Sequence, residues 1–242
     1  MSQTDSSDSY PLPRDNAETI RLNEQHKCLV GAFGFHIHPS IPVAKEEHDF
    51  RVADIACGSG TEGGYGKDFE CQLDIVAVRL LHISIAGAQW TRAVQNAIAL
   101  LKPGGYLQWI DWDLHSARLV QSRPMLEHTA IDQLLGLFKQ FLGALDTGAT
   151  ARLPEQMREG GLVDVKSELF ALDADAIWRE YFLMTITTVM PDAVAKRIGQ
   201  LPAGAANGKD WAKMKTTAQE EGKQEGLWVR TEMWCHAGKK PL

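Results

Sequence analysis

Two apolar runs constrain this chain more than any other feature. "FRVADIA" (50–56) is apolar apart from Arg51 and Asp54, and "LDIVAVRLLH" (73–82) is a second run of the same kind. Neither alternates between polar and apolar residues as a half-buried strand does. Strands that read as near-continuous apolar runs are buried on both faces, which means a parallel sheet covered by helices on each side. The chain has 242 residues, of which 44% are hydrophobic, so one globular domain with a sizeable core is expected.

The rest of the pattern extends this α/β reading. A helix is expected from Asp15, with Glu18 three residues on as in a capping box, and Cys28, Leu29, Ala32 and Phe33 recur along it at helical spacing. "HIHPSIP" (36–42) ends it with two prolines. Trp90, Ala93, Val94, Ala97, Ile98 and Leu101 fall on one face of a helix over 89–101. "KPGG" (102–105) stops that helix, and "GYLQWIDWD" (105–113) reads as a third strand. Further helices are expected over 126–145, 153–161 and 174–199, with a surface helix at 209–221. Strands are expected at 162–172 and 227–240. Residues 1–13 read as a flexible tail and 14–242 as one domain. Within it, 14–49 forms an N-terminal helical cap and 174–226 a helical insertion or lid.

Charge and cysteine usage exclude several function classes. The net charge is −6 and no basic cluster is present, so there is no field to collect phosphates and no nucleic-acid partner is expected. Cys28, Cys57, Cys71 and Cys235 form no CxxC pair and no metal-ligand spacing, so reduced thiols and no metal are expected. "MSQTDSSDSYPLPRD" has neither the basic nor the apolar part of a signal peptide. No apolar run approaches the ~20 residues of a membrane span. A soluble cytoplasmic protein without membrane partners is expected.

Five stretches, in this order, carry a family resemblance: "VADIACGSG", "LDIVAVRLLH", "LLKPGGYLQWIDWD", "LPEQMREGGLVDV" and a terminal strand ending in "AGKKP". Together they resemble the class I S-adenosylmethionine-dependent methyltransferases. The flanking "YPLPRDNAETIRLNEQH" and "HIHPSIP" look like a fungal branch found with secondary-metabolite pathways. The likeness covers roughly residues 10–240. It implies a Rossmann-like α/β sandwich, mostly parallel, with an antiparallel last strand and S-adenosyl-L-methionine lying across the carboxyl ends of the strands. Asp54 would then end strand one. Gly58 and Gly60 would let the backbone approach the cofactor, where a Cβ would collide. Ala56 stands where family members usually carry another glycine.

The chain departs from the family directly after this loop. The family places a helix, a strand ending in the ribose-binding acid, a second helix and a third strand before the run that corresponds to 73–82. A single βαβ unit needs about 30 residues. Here only "TEGGYGKDFECQ" (61–72) is available, and its three glycines suit a loop. Strands two and three of the family sheet are expected to be missing. With them go the ribose acid, the adenine wall and the helix over the methionine tail. Asp74 and Glu62 are the acids nearest in sequence to take over. Strand one then becomes a sheet edge, and an exposed edge favours association, a homodimer being one outcome.

Candidate site residues follow from position and chemistry. His82 lies at the carboxyl end of the second run, where related small-molecule O-methyltransferases often carry a general base. A neutral imidazole can take a proton there from a phenol or an acid. The alternative is a histidine with a purely structural partner. Arg79, three residues earlier, is suited to an acidic substrate group or to an ion pair, for instance with Asp111. Trp109 and Trp112 point to opposite faces of their strand, and Asp111 and Asp113 share the face of Trp109. Trp109, Asp111 and Trp112, with Tyr181 from the helical insertion, are the candidate substrate-binding residues, with core packing as the alternative. His36 and His38 have HxH spacing, read as a turn or pocket lining in preference to a metal site.

The function implied is methyl transfer from S-adenosyl-L-methionine to an oxygen or nitrogen of a small secondary-metabolite intermediate. Two other readings compete with it. One is a methyltransferase-like protein that binds an intermediate, assists a cyclisation or works with a partner. The other is a mis-spliced product that lacks one coding segment after Thr61.

Overall fold

The computed structural model describes residues 16–43, 50–55, 70–82, 84–85, 87–143, 149–199, 201, 205 and 207–242. In chain order the elements are α1 (Asn16–Phe33), β1 (Val52–Ile55), β2 (Leu73–Arg79), α2 (Trp90–Leu100), β3 (Leu101–Gln121), α3 (Thr129–Gly143) and α4 (Ala149–Glu159). Then come β4 (Val163–Ala171), α5 (Ala176–Met184), α6 (Pro191–Ile198), α7 (Gly208–Glu221) and β5 (Leu227–Lys239). A π-helical turn, Thr185–Val189, joins α5 to α6.

The strands form one sheet in the order β1-β2-β3-β5-β4. β1, β2 and β3 are parallel, and β5 runs antiparallel to both β3 and β4. This is the expected α/β sandwich, mostly parallel with an antiparallel last strand. Among the described residues β1 is the sheet edge, as the short gap after the glycine loop requires.

The apolar runs sort onto the two faces. Val76, Val78, Leu107 and Trp109 face α2 and α4, where Trp90, Val94, Ile98, Leu153 and Met157 complete a cluster. Ile110, Trp112, Met233 and Cys235 face the other way, into a larger cluster from α1, α3, α5, α6 and α7. The alternation of Trp109 and Trp112 therefore sends one indole into each layer. No described helix is long and apolar enough to cross a membrane.

The turn from α2 into β3 explains the "KPGG" signal. α2 stops at Leu100, Leu101 is already extended and pairs with Leu73, and the ladder shifts before Tyr106 meets Ile75. Gly105 lies against the backbone, so a Cβ there would sit 2.9 Å from the Leu73 carbonyl oxygen and 3.0 Å from that of Lys102. The Lys240 ammonium donates to the carbonyls of Leu101 (2.7 Å) and Ile98 (3.2 Å), capping the end of α2.

Two features differ from the sequence expectation. β3 does not end at Asp113. After a bulge between Asp113 and Arg118 it runs on to Gln121, because β5 offers it partners as far as Leu227. α7 is not simply a surface helix, since it buries Trp211, Met214, Ala218 and Glu221. The Glu221 carboxylate accepts from the Ala130 (3.1 Å) and Ile131 (2.9 Å) N–H groups, meeting free donors and the positive dipole end of α3. The expected capping residue of α1, Asp15, lies outside the described residues.

Candidate small-molecule site

The carboxyl ends of β1, β2 and β3 gather Asp54, Arg79, His82 and Asp111. The structure ties these into two pairs. Arg79 and His82 are not partners of each other, and Arg79 pairs with Asp54, not with Asp111.

The first pair is closed. Asp111 is fully buried and His82 nearly so. One carboxylate oxygen, Oδ1, meets His82 Nδ1 at 2.5 Å and accepts from the Trp112 N–H at 3.0 Å. The other, Oδ2, accepts from the N–H groups of Leu81 (3.0 Å) and His82 (3.1 Å) and from the Trp109 indole (3.2 Å). The carboxylate thus fastens the turn after β2 onto β3 and fixes the imidazole. With an acceptor on Nδ1, the neutral ring carries its proton there, and Nε2 is the basic nitrogen.

The second pair is open. The Arg79 guanidinium donates to both carboxylate oxygens of Asp54, through Nη2 and, at 3.4 Å, through Nε. Its Nη1 donates to His26 Nδ1 on α1 at 2.6 Å. Burial, then the nearby Arg79 and His36, hold His26 below its ordinary pKa, which keeps Nδ1 available as an acceptor. Side-chain exposure is 20% for Arg79 and 40% for Asp54, against 0% for Asp111.

Beside the open pair, between α1 and the ends of β2 and β3, lies a shallow hollow with room for little more than a water molecule. Leu29, Val30, Phe33, Phe35 and Ile110 wall it, and His36 and Arg79 supply its polar edge. His26, Leu29 and Phe33 fall three and four residues apart on α1. Leu29 and Phe33 belong to the helical stripe read in the sequence, which included neither His26 nor any sign that Arg79 would lie opposite.

The other candidate residues have plain positions. Trp109 tilts against Trp90 in the α2 layer, with 5.9 Å between ring centroids. Trp112 meets Trp178 edge-on at 5.5 Å and Phe182 at 5.4 Å, and Tyr181 is edge-on to Trp178 at 5.4 Å. These rings are buried in the two core clusters. His38 sits against Glu168 and Ser40, and its N–H donates to Gln108. Among the described residues no group of three potential metal ligands comes together.

Of the residues expected to hold S-adenosyl-L-methionine, Asp54 is among the described ones. Ala56, Gly58, Gly60 and Glu62 lie outside the described residues. Asp54, the one described, already has both oxygens bonded by Arg79. Asp74 is not a substitute for the ribose acid. It lies at the amino end of β2, where it takes the Arg51 N–H and the Lys102 ammonium. Burial opposes its charge, yet those two partners hold its carboxyl below the usual range. Among the described residues no strand flanks β1 on the side where an adenosine would need a wall. The described residues therefore do not form a complete cradle for this cofactor.

The sequence matches no family model and no curated protein. Solved structures similar to it include methyltransferases. Phosphoethanolamine N-methyltransferase 2 of Haemonchus contortus, in complex with phosphomonomethylethanolamine and S-adenosylhomocysteine, is 13% identical. That match covers 72% of this chain and 35% of the other, with a TM-score of 0.36. The 4+2 cyclase SpnF is 12% identical over 72% of this chain and 52% of its own, with a TM-score of 0.35. A chain of the complex formed by the Haloferax volcanii Trm112 methyltransferase activator is 14% identical, covering 94% of this chain and 96% of its own, with a TM-score of 0.46. Against the first solved methyltransferases that it matches, this chain spans between 34% and 54% of their length.

Proposed function

We propose that this chain acts on a small secondary-metabolite intermediate by S-adenosylmethionine-dependent O- or N-methylation. The observation that carries the reading is the imidazole of His82, fixed through Nδ1 by Asp111 at the carboxyl ends of two parallel strands. In that arrangement Nε2 takes the proton from a phenol or acid as it becomes a nucleophile, and the Asp111 carboxylate stabilises the imidazolium that forms. The five stretches of family likeness and the sheet order support the same reading. S-adenosyl-L-methionine would supply the methyl group. Because the described residues do not complete its cradle, the role derived for the chain stops at binding the intermediate and moving its proton.

A second reading is favoured by a specific observation. The acid that the resemblance assigns to the cofactor is bonded by Arg79, and among the described residues β1 is the sheet edge. Both suit a methyltransferase-like protein that binds or helps to cyclise an intermediate without methyl transfer, or one whose missing half comes from a partner chain at that edge, a second copy included.

Titration calorimetry of the full 242-residue chain with S-adenosyl-L-methionine separates the two. A hydrogen bond to a charged group is worth about 1.5–3 kcal/mol, so losing one ribose contact weakens binding by about 10–150-fold. Binding near millimolar, or none, is expected of the isolated chain and favours the second reading. Micromolar binding would mean that residues 56–69 rebuild the cradle, and methyl transfer by the chain alone would stand.

A further inference from the structure

We propose that β4 is the contact edge of a homodimer, in which two copies pair antiparallel about a two-fold axis at Ser167. The inference concerns assembly and does not depend on methyl transfer. β4 ends the sheet on the side opposite β1, and among the described residues it pairs with β5 alone. Seven of its nine residues are exposed, whereas six of the seven in β2 are buried, so the helices leave both faces of β4 largely open. Leu169, near its carboxyl end, is 46% exposed. Asp164, at φ +52°, is the extra residue of a bulge, and Lys166 to Ala171 follow β5 in unbroken register. The regular part of the edge is therefore short and centred close to Ser167.

The pleat fixes which residues can meet. Lys166, Glu168 and Phe170 lie on the α1 side, where Glu168 meets His38 at 3.1 Å and Phe170 meets Phe33 edge-on. Val165, Ser167 and Leu169 lie on the α4 side, where Val165 joins the α2 and α4 cluster and Ser167 meets His236. A two-fold axis normal to the sheet keeps each face on its own side, so residues opposite each other must share a face. The charges then select the register. With Ser167 opposite Ser167, Lys166 of each copy faces Glu168 of the other, and Val165 of each faces Leu169. Moving the axis by one residue puts Lys166 on Lys166 or Glu168 on Glu168, and like charges directly opposite are destabilising. Both groups are available. Lys166 is exposed and forms no ion pair among the described residues, and the Glu168 side chain is 52% exposed beside His38. A lysine and a bulge ordinarily turn arbitrary strands away from an edge. This lysine admits a strand that sets a glutamate opposite it and a lysine opposite Glu168, as a second copy of β4 does.

Sedimentation velocity of the full 242-residue chain tests this. So short a contact belongs with weak interfaces, so dimer is expected at about 100 µM chain and monomer at about 1 µM. Lys166→Glu and Glu168→Lys should each weaken the dimer about tenfold or more, because both symmetry-related pairs turn from attraction to repulsion. An equimolar mixture of these two variants should dimerise as the unsubstituted chain does, since every glutamate then meets a lysine of the other copy. Variants that were merely destabilised would not rescue each other in this way. Leu169→Asp, at an exposed position outside the charge pairs, should also disperse the dimer. Circular dichroism and a thermal melt establish that each variant is folded. A chain that stays monomeric at the higher concentration would overturn the proposal. So would a dimer indifferent to both charge reversals, which would place the contact elsewhere, at β1 for instance. Two variants that stay apart when mixed would overturn it as well.

Discussion

The two ion pairs at the carboxyl ends of the parallel strands are made of similar parts and are built in opposite ways. His82–Asp111 is buried, and its carboxylate accepts from five donors drawn from one loop and a strand. Arg79–Asp54 is partly exposed and is tied to α1 by a single further bond, from Arg79 to His26. The first pair holds the scaffold and gives the ring one direction. The second is anchored to α1 through His26 and stays partly open to solvent. Desolvation separates them. A buried carboxylate must satisfy every donor around it, whereas an exposed one leaves water to do so.

The largest expected effect tests the closed pair. Asp111→Ala leaves the Leu81, His82 and Trp112 N–H groups and the Trp109 indole without their acceptor. Removing one member of a buried pair typically costs about 3–5 kcal/mol, and urea unfolding should show a loss of that order. A loss below about 1 kcal/mol would mean that the carboxylate is not the clasp between β2 and β3, and the comparison would collapse.

His236 sharpens the same contrast from another side. It is buried like His82, but its partners are neutral: Nε2 donates to the Thr150 carbonyl at 3.0 Å, so Nδ1 accepts from the Ser167 hydroxyl at 2.9 Å. Burial, opposed by the Thr150 carbonyl and by Asp111, holds its pKa down from 6.5 to about 4. The unfolded ring takes up a proton below its ordinary value, whereas the folded ring does so only near 4. Stability from this group is therefore complete above about pH 6.5, falls as the pH drops toward 4 and is flat below that. The whole window is worth about 3 kcal/mol. Unfolding by urea at pH 7 and pH 4.5 should show the loss, and His236→Gln should remove that part of the slope. An unchanged slope would place the acid sensitivity in the carboxylates.

How much of this was legible in the sequence depends on the distance over which each signal acts. α2 and β2 were readable because a helix face and a doubly buried strand write their pattern into consecutive residues. The sheet edge at β1 was readable from the length of the gap that follows it. The extension of β3 to Gln121 was not, because "LHSARLVQ" carries no strong period and becomes a strand only when β5 lies beside it. The pairing of Asp54 with Arg79 joins residues 25 apart and that of His82 with Asp111 joins residues 29 apart. Sequence chemistry nominated all four for a site. It placed Asp111 with the substrate and offered it to Arg79, because which strand ends meet is a tertiary fact. Glu221, which meets the N-terminus of α3 from 90 residues away, gave no local sign at all.

The smallest expected effect is on stability, and it bears on the open pair. Arg79→Ala removes the fork from Asp54 and the donor from His26. Both partners can turn to water, since Asp54 is 40% exposed and the guanidinium itself lies at the rim of the hollow. Exposed ion pairs are typically worth about 0–1 kcal/mol, so the loss in urea unfolding should stay within that range, several times smaller than for Asp111→Ala. A loss of 3 kcal/mol or more for Arg79→Ala would instead make both pairs structural and erase the difference between them.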